Sequence, residues 1–226
     1  MLIVAIDTSG RRGSVALCRG DAASFEGVQL TSLEGGTYSA RLMPTISSLL
    51  EQNGFDKKDV GGFVVVSGPG SFTGLRVGLA TVKGLCEILR KPLATVSMLE
   101  AVGVMHGRPG EKVTAILDAG RSEVYVGEYR LGFGCASLER EYIVKIAEFA
   151  REASRIHGEM LTPDASVADF LQAANFSVRL VAPAQAEEIG RIGLRKLLAG
   201  DVVDAASVDV NYIRRSDAEI FSAPKG

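Results

Sequence analysis

The sequence predicts a two-lobed α/β protein in which a mixed β-sheet is flanked by helices in each lobe. Its 226 residues are enough for one large domain or two small ones. Residues 1–91 combine short apolar runs with two long helical patterns in the order β-β-β-α-β-α, and residues 92–226 contain a second set of strands and helices. We place the lobe boundary after Lys91, where Pro92 breaks the second long helix.

The strands predicted in the first lobe are apolar runs rich in Ile and Val that end at Asp or Gly turn residues. The helices are predicted from apolar residues that recur every three to four positions. The predicted segments are strands 2–6, 14–18 and 23–30, helix 37–53, strand 62–66 and helix 74–90.

The second lobe is predicted from the same two patterns. Helix 97–105 precedes a hairpin of strands 112–117 and 123–130, and residues 185–198 form a clearly amphipathic helix. The remaining predictions are strands 138–143, 155–160 and 178–181, helices 145–153 and 167–174, and an extended end over 208–221.

The composition disfavours several classes of protein. Lys and Arg number 25 against 27 Asp and Glu, so the charge balance does not predict that the chain alone binds nucleic acid. Three dispersed cysteines, with no CxxC pair, favour reduced thiols and a cytoplasmic location. The apolar run at residues 2–6 is too short for a signal peptide or a membrane span, and the two histidines have no metal-binding spacing. We therefore expect no metal site and no membrane association.

The predicted helix 74–90 has an unusual charge distribution. Its charged residues lie within about 60° of arc at 100° per residue, and the rest of its surface is apolar or small. The first long helix carries only Arg41 and Glu51, so both helices predict a docking surface for another polypeptide. The alternative is that the second lobe of this chain covers them. The predicted interface residues are Leu42, Ile46, Leu49, Gly74, Leu75, Gly78, Thr81, Val82 and Leu85.

Small residues within that helix support the same prediction. Interior glycines cost about 1 kcal/mol each relative to alanine, so close packing must compensate. Gly74 with Gly78, and Ala80 with Gly84, form notches four residues apart. An arginine at Gly78 is expected to block the partner and leave the fold largely intact.

A glycine-containing loop over residues 67–74 lies between a predicted strand and a predicted helix. Such loops bind phosphate on the amides of the helix N-terminus. The Walker pattern fails here because no lysine follows Gly74. The alternative, which we favour, is a tight loop in which Ser71 or Thr73 caps the helix.

Asp7 and Asp118 each follow a predicted strand, one in each lobe. Nucleotide-binding proteins of this architecture place an aspartate in each lobe, whereas aspartates in turns often bond only to local backbone. A residual nucleotide site would comprise Asp7, Ser9, Asp118 and Gly120. The second lobe has no Gly-Gly pair with which to grip an adenosine, so we expect the isolated chain to hydrolyse ATP weakly or not at all.

Three blocks of sequence resemble the TsaB (YeaZ) family of tRNA threonylcarbamoyladenosine biosynthesis proteins. They are Ile-Val-Ala-Ile-Asp-Thr-Ser at 3–9, Ser-Gly-Pro-Gly-Ser-Phe-Thr-Gly-Leu-Arg-Val-Gly at 67–78 and Asp-Ala-Gly-Arg-Ser-Glu-Val-Tyr at 118–125. Residues 41–44 and 212–214 extend the resemblance. Tyr38 stands where the family often has His, and Val210 stands where it often has Pro.

The resemblance implies the actin, sugar-kinase and Hsp70 fold class and a non-catalytic role. TsaB-like proteins are inactive relatives of TsaD, the subunit that transfers the threonylcarbamoyl group to the adenosine beside the anticodon. They pair with TsaD through helices of the N-terminal lobe, a TsaE-like ATPase joins the complex, and they self-associate as homodimers when alone. The chain itself would then hold no cofactor, with ATP and Mg²⁺ on the partner subunits, and would reach tRNA only through the complex.

Two other functions remain open from the residues. An ATP-dependent kinase or acyl transferase of the same fold would use Asp7 and Asp118 at the phosphates. A purely structural homodimer would use the two helices only to contact each other. Protease activity, which the glycoprotease-like label of this family suggests, is disfavoured because no metal-binding histidine pattern occurs.

Overall fold

The first of two five-stranded sheets forms the N-terminal half of the protein. A computed structural model describes residues 1–152, 158–209, 211 and 213. The strand order of this sheet is β3-β2-β1-β4-β5; β1 runs antiparallel to β2 and parallel to β4. The strands are β1 (Leu2–Asp7), β2 (Arg12–Gly20), β3 (Phe25–Glu34), β4 (Val60–Gly68) and β5 (Leu93–Ser97).

Helices cover both faces of this first sheet. Every residue of β1 is buried, as expected of a central strand with cover on each side. Helix α6 (Ala186–Ala199) packs on one face, where Gly190 and Gly193 bring its backbone close to Ala5 and Val64. Helices α1 (Tyr38–Gln52) and α2 (Phe72–Leu89) contact each other and cover the other face.

The second sheet has the order β10-β9-β6-β7-β8. Its strands are β6 (Lys112–Gly120), β7 (Glu123–Leu131), β8 (Ala136–Lys145), β9 (Glu159–Thr162) and β10 (Val178–Leu180). Helices α4 (Ile146–Glu152) and α5 (Ala165–Ala173) pack against it and enclose a core that includes Ile116 and Leu171.

Helix α3 (Met98–His106) lies between the two sheets and joins their cores. Met98 and Ala101 pack into the core of the first lobe, while Leu99 and Val102 pack into a cluster on the second sheet. This explains why so short a helix is buried over most of its length.

The boundary drawn after Lys91 does not separate the two sheets. Strand β5 follows that residue yet pairs with β4, and α6 returns to the first sheet almost one hundred residues later in the chain. The proline before Leu93 starts an extended strand rather than a hinge.

Among the described residues, no helix is long and apolar enough to cross a membrane.

Most predicted segments are confirmed within a few residues, including the two long helices and the hairpin. Strand β5 was missed. Part of the predicted strand 155–160 and most of the predicted extended segment 208–221 lie outside the described residues.

Candidate functional site: the interlobe cleft and the outer face of two helices

Three glycines hold the loop after β4 and the start of α2 against the end of β1. A Cβ atom at Gly70 would lie 2.4 Å from the Ser9 carbonyl oxygen, and one at Gly74 would lie 2.0 Å from the Thr8 carbonyl oxygen. A Cβ atom at Gly78 would lie 2.3 Å from Thr8 Oγ1. The close approach that these glycines allow is therefore to the residues that directly follow this chain's own first strand.

This geometry corrects two expectations for α2. Gly74 and Gly78 face inward, so they do not form a notch for a partner helix. An arginine at Gly78 would collide with Thr8, whose hydroxyl is buried, and would disturb the fold as well as any complex. The prediction that Ser71 caps the helix is confirmed, because its Oγ accepts a hydrogen bond from Gly74 N at 3.4 Å.

Asp7 ends β1 with its carboxyl group buried. Its Oδ1 accepts hydrogen bonds from Ser9 N at 2.8 Å and from Ser9 Oγ at 2.6 Å. Burial raises the pKa of the Asp7 carboxyl above its usual value, although the Ser9 bonds act in the opposite direction. The Asp7 carboxyl therefore bonds to the neighbouring Ser9, and its burial disfavours the ionised form.

Asp118 lies near the end of β6, just before the turn into β7. Its Oδ1 accepts a hydrogen bond from Gly120 N at 2.8 Å, and its own backbone N donates to Asp164 Oδ2 at 2.8 Å. Gly120, Arg121 and Ser122 have φ angles of 69°, 55° and 59°. These are the contacts of an aspartate that supports a tight turn.

A cleft of 1190 Å³ opens between the two lobes, beside both aspartate turns. Ser9 and Asp118 line it, whereas Asp7 and Gly120 do not, so only two of the four residues of the predicted nucleotide site reach this space. Its lining also includes the loop after β4 and the side chains of Arg11, Tyr38, Arg76 and Tyr125.

Tyr38 closes one wall of this cleft. Its hydroxyl donates a hydrogen bond to the Gly10 carbonyl oxygen at 2.7 Å, and its ring packs where Gly13 leaves no room for a Cβ atom. Burial and the nearby Asp7 both raise the pKa of the Tyr38 hydroxyl. Tyr38 is therefore a structural part of the cleft wall.

Most of the predicted interface residues lie inside this chain. The side chains of five predicted interface residues belong to the core of the first lobe: Leu42, Ile46, Leu49, Leu75 and Val82. Only Thr81 and Leu85 are partly exposed. The buried stripe of each helix faces the sheet beneath it, as is usual for the apolar face of a helix at the surface of a protein.

A different set of residues forms what we call the α1–α2 outer face. Ile88 is 80% exposed, and Met43 and Phe72 are 43% and 38% exposed. Ala80 is exposed, and a Cβ atom at Gly84 would meet nothing within 4 Å. The α1–α2 outer face comprises Met43, Phe72, Val77, Ala80, Gly84 and Ile88. Ala80 and Gly84 form one of the two predicted notches, but helical spacing alone does not show which notch faces outward.

In the part of the chain that the structure describes, no three His, Cys, Asp or Glu side chains come together in an arrangement suited to a metal ion. His106 instead makes a 2.9 Å hydrogen bond to the Ala182 carbonyl oxygen through Nε2. His157 lies outside the described residues.

Two mixed sheets joined by a central helix, with a cleft between the lobes, define an α/β protein of the actin, sugar-kinase and Hsp70 class. A family model described as TsaD, tRNA N6-adenosine threonylcarbamoyltransferase, matches residues 35–177. The chain belongs to this family and, within it, to the TsaB (YeaZ) group.

Individual relatives support this assignment. The chain is 37% identical over 130 residues to the tRNA threonylcarbamoyladenosine biosynthesis protein TsaB of Bacillus subtilis. The matched residues cover 58% of this chain and 56% of the relative. Identity to the TsaB protein of Escherichia coli is 33% over 132 residues, or 58% and 55% of the two chains. The matched region thus spans little more than half the length of these relatives.

The fold agrees with a solved structure from Pseudomonas aeruginosa, an uncharacterized protein with similarity to peptidase YEAZ. The TM-score is 0.75 at 23% identity, over 94% of this chain and 99% of the other. At this identity the likeness concerns the fold alone.

Proposed function

We propose that this chain is a non-catalytic subunit in the synthesis of tRNA threonylcarbamoyladenosine, where it binds a TsaD-like transferase. Its family membership and the names of its relatives in Bacillus subtilis and Escherichia coli support the pathway. The TsaE-like ATPase would join the same complex. ATP and Mg²⁺ would be held by the partner subunits, and tRNA would be reached only through the assembly in the cytoplasm.

The exposure of Ile88 is the observation that best supports a docking role. Its side chain, 80% exposed beside the open backbone at Gly84, lies on the same face as the exposed Met43 and Phe72, and covering these apolar side chains with a partner surface would be favourable. Fully burying such a side chain is worth roughly 1.5–3 kcal/mol. Small residues at Ala80 and Gly84 let a partner's backbone or side chains approach closely. When the chain is alone, the same face would support a homodimer.

The contacts of Asp7 support the non-catalytic part of the proposal. A carboxyl group that holds Mg²⁺ and phosphate must be ionised and must face the ligand. The Asp7 carboxyl is bonded to Ser9, lies outside the cleft lining and has a pKa raised by burial. The kinase or acyl-transferase alternative would instead require tight binding of Mg-ATP by the isolated chain, which calorimetric titration measures directly.

The docking role is tested by co-purification with the TsaD-like transferase of the same organism. Ile88→Glu places a charge on the α1–α2 outer face and should abolish or strongly weaken the complex. Leu198→Glu is the matched control, because Leu198 is 42% exposed on α6, which covers the opposite face of the sheet. Equal recovery of both variants with the transferase would remove the α1–α2 outer face from the interface.

A further inference from the structure

The end of the described chain runs from the first lobe to the second. Here we call residues 203–209, 211 and 213 the strap. The strap begins at the edge of the first sheet, where Val203 N donates a hydrogen bond to the Leu93 carbonyl oxygen at 2.9 Å. Lys83 Nζ on α2 then donates to the Val208 carbonyl oxygen at 2.9 Å. Val203 and Val208 also pack against the core of the first lobe.

Asn211 then bridges the two lobes. Its backbone N donates to the carbonyl oxygen of Ser67 at the end of β4, at 2.9 Å. Its side-chain Nδ2 donates to Glu141 Oε2 on β8 of the second sheet, at 2.8 Å. Ile213 follows in the cleft lining and packs against the apolar cluster between α3 and the second sheet.

Glu141 is bonded to both lobes and to the strap. Its Oε1 accepts a hydrogen bond from Ser97 Oγ, the last residue of β5 in the first sheet, at 2.5 Å. The same oxygen accepts from the hydroxyl of Tyr129 on β7, and Oε2 accepts from Asn211. Hydrogen bonds to a charged carboxylate are about twice as strong as those between neutral groups.

We propose that the strap is a conformational clasp, fastened at Glu141, that holds the two lobes at one separation and thereby sets the width of the interlobe cleft. Other links between the lobes are α3, the short segment before α6, the Ser97–Glu141 hydrogen bond and a hydrogen bond from Arg195 Nη1 on α6 to the Phe133 carbonyl oxygen at 2.6 Å. If Asn211 is released from Glu141, a hydrogen bond between the strap, which is held to the first lobe, and β8 of the second lobe is lost beside the cleft. The inference is independent of the proposed function, because it concerns only contacts within this chain.

The test measures the distance between the lobes by electron–electron double resonance. Spin labels are placed at exposed positions through Ser47→Cys on α1 and Glu148→Cys on α4, in a Cys135→Ser background. Cys18 and Cys86 are buried. Asn211→Ala and Glu141→Gln should each broaden the distribution and lengthen its mean by about 2 Å or more, the scale of a domain rearrangement.

The matched control is Glu139→Gln on the same strand. Glu139 pairs with Lys112 and Arg130, both in the second sheet, so its loss leaves the contacts between the lobes unchanged. Hydrogen exchange gives a second readout: amides of the strap should exchange roughly tenfold faster in Asn211→Ala, as expected for a lost bond to a charged group. If the labelled wild type and both clasp variants give the same distance distribution, the proposal is overturned. Should Glu141→Gln fail to fold, Asn211→Ala decides the matter, since Asn211 is exposed.

Discussion

At the scale of single residues, the glycines of the loop and of α2 show what local sequence can and cannot reveal. Their number indicated close packing, and the packing is present. What they approach is the end of β1, because Gly74 and Gly78 face Thr8. Periodicity places residues on the same side of a helix, but it does not say which neighbour lies there. That information comes only from the pairing of distant strands.

Asp7 gives a prediction about pH. The folded-state pKa of its carboxyl is raised by burial above the unfolded value, so the native state binds the proton more tightly. This contribution to stability is fully present below the unfolded pKa and is lost as pH rises through the folded pKa. Asp7→Asn, a neutral isostere, should therefore unfold at a higher temperature than the wild type at pH 7. A gain of roughly 1 kcal/mol would shift the melting temperature by about 2–4 °C in a chain of this size.

The difference between Asp7→Asn and the wild type should shrink as the pH falls from 7 towards about 4, the ordinary aspartate pKa, and should be absent below it. Asp21→Asn is the control with the opposite sign. The Asp21 carboxyl is exposed, and hydrogen bonds from Ala23 N and Ser24 lower its pKa, so its contribution is present at pH 7 and is lost in acid. A lower melting temperature for Asp7→Asn at pH 7 would show instead that the charge of Asp7 is needed.

At the scale of elements, the strongly periodic segments were predictable and the short ones were not. The two long helices were predicted at 37–53 and 74–90, and they occupy Tyr38–Gln52 and Phe72–Leu89. Strand β5 has only five residues and follows a proline, so local pattern favoured a hinge. The outer face of α2 was also hard to predict, because apolar residues surround most of that helix and only the position of the sheet distinguishes inside from outside.

The contact between α3 and α6 includes an ion pair in which Glu100 is buried and the Lys196 side chain is 24% exposed. Lys196 Nζ lies 2.7 Å from Glu100 Oε2 and also donates to the Thr95 carbonyl oxygen at 3.2 Å. Glu100 is 6% exposed, and burial raises the pKa of its carboxyl despite the attraction of Lys196. Removing one partner of a buried pair leaves the other charge without compensation.

Lys196→Met should therefore lower the free energy of unfolding by about 1.5–3 kcal/mol at pH 7, the range for a hydrogen bond to a charged group, as measured by urea titration. The comparison variant is Arg19→Met, which breaks an equally short but exposed pair with Glu26 and should cost less than about 1 kcal/mol. Similar losses of unfolding free energy in the two variants would mean that burial of Glu100 does not strengthen its pair with Lys196.

At the scale of the whole molecule, two features escaped local sequence analysis. Helix α6 was predicted in place, yet its return to the first sheet depends on glycines that fit against Ala5 and Val64. The strap likewise joins Leu93, Ser67 and Glu141, which are far apart in sequence. An amphipathic pattern shows that one face of a helix must be covered, but it does not identify the surface that covers it. The lobes therefore interleave along the chain rather than following one another.

The central claim is that this chain acts in the modification of tRNA by binding another subunit through the α1–α2 outer face. The most direct test is to deplete the chain in its own organism and to measure threonylcarbamoyladenosine in tRNA hydrolysates by mass spectrometry. The account predicts that the modified nucleoside falls on depletion, that wild type and Leu198→Glu restore it, and that Ile88→Glu does not. An unchanged level of threonylcarbamoyladenosine in depleted cells would contradict the account.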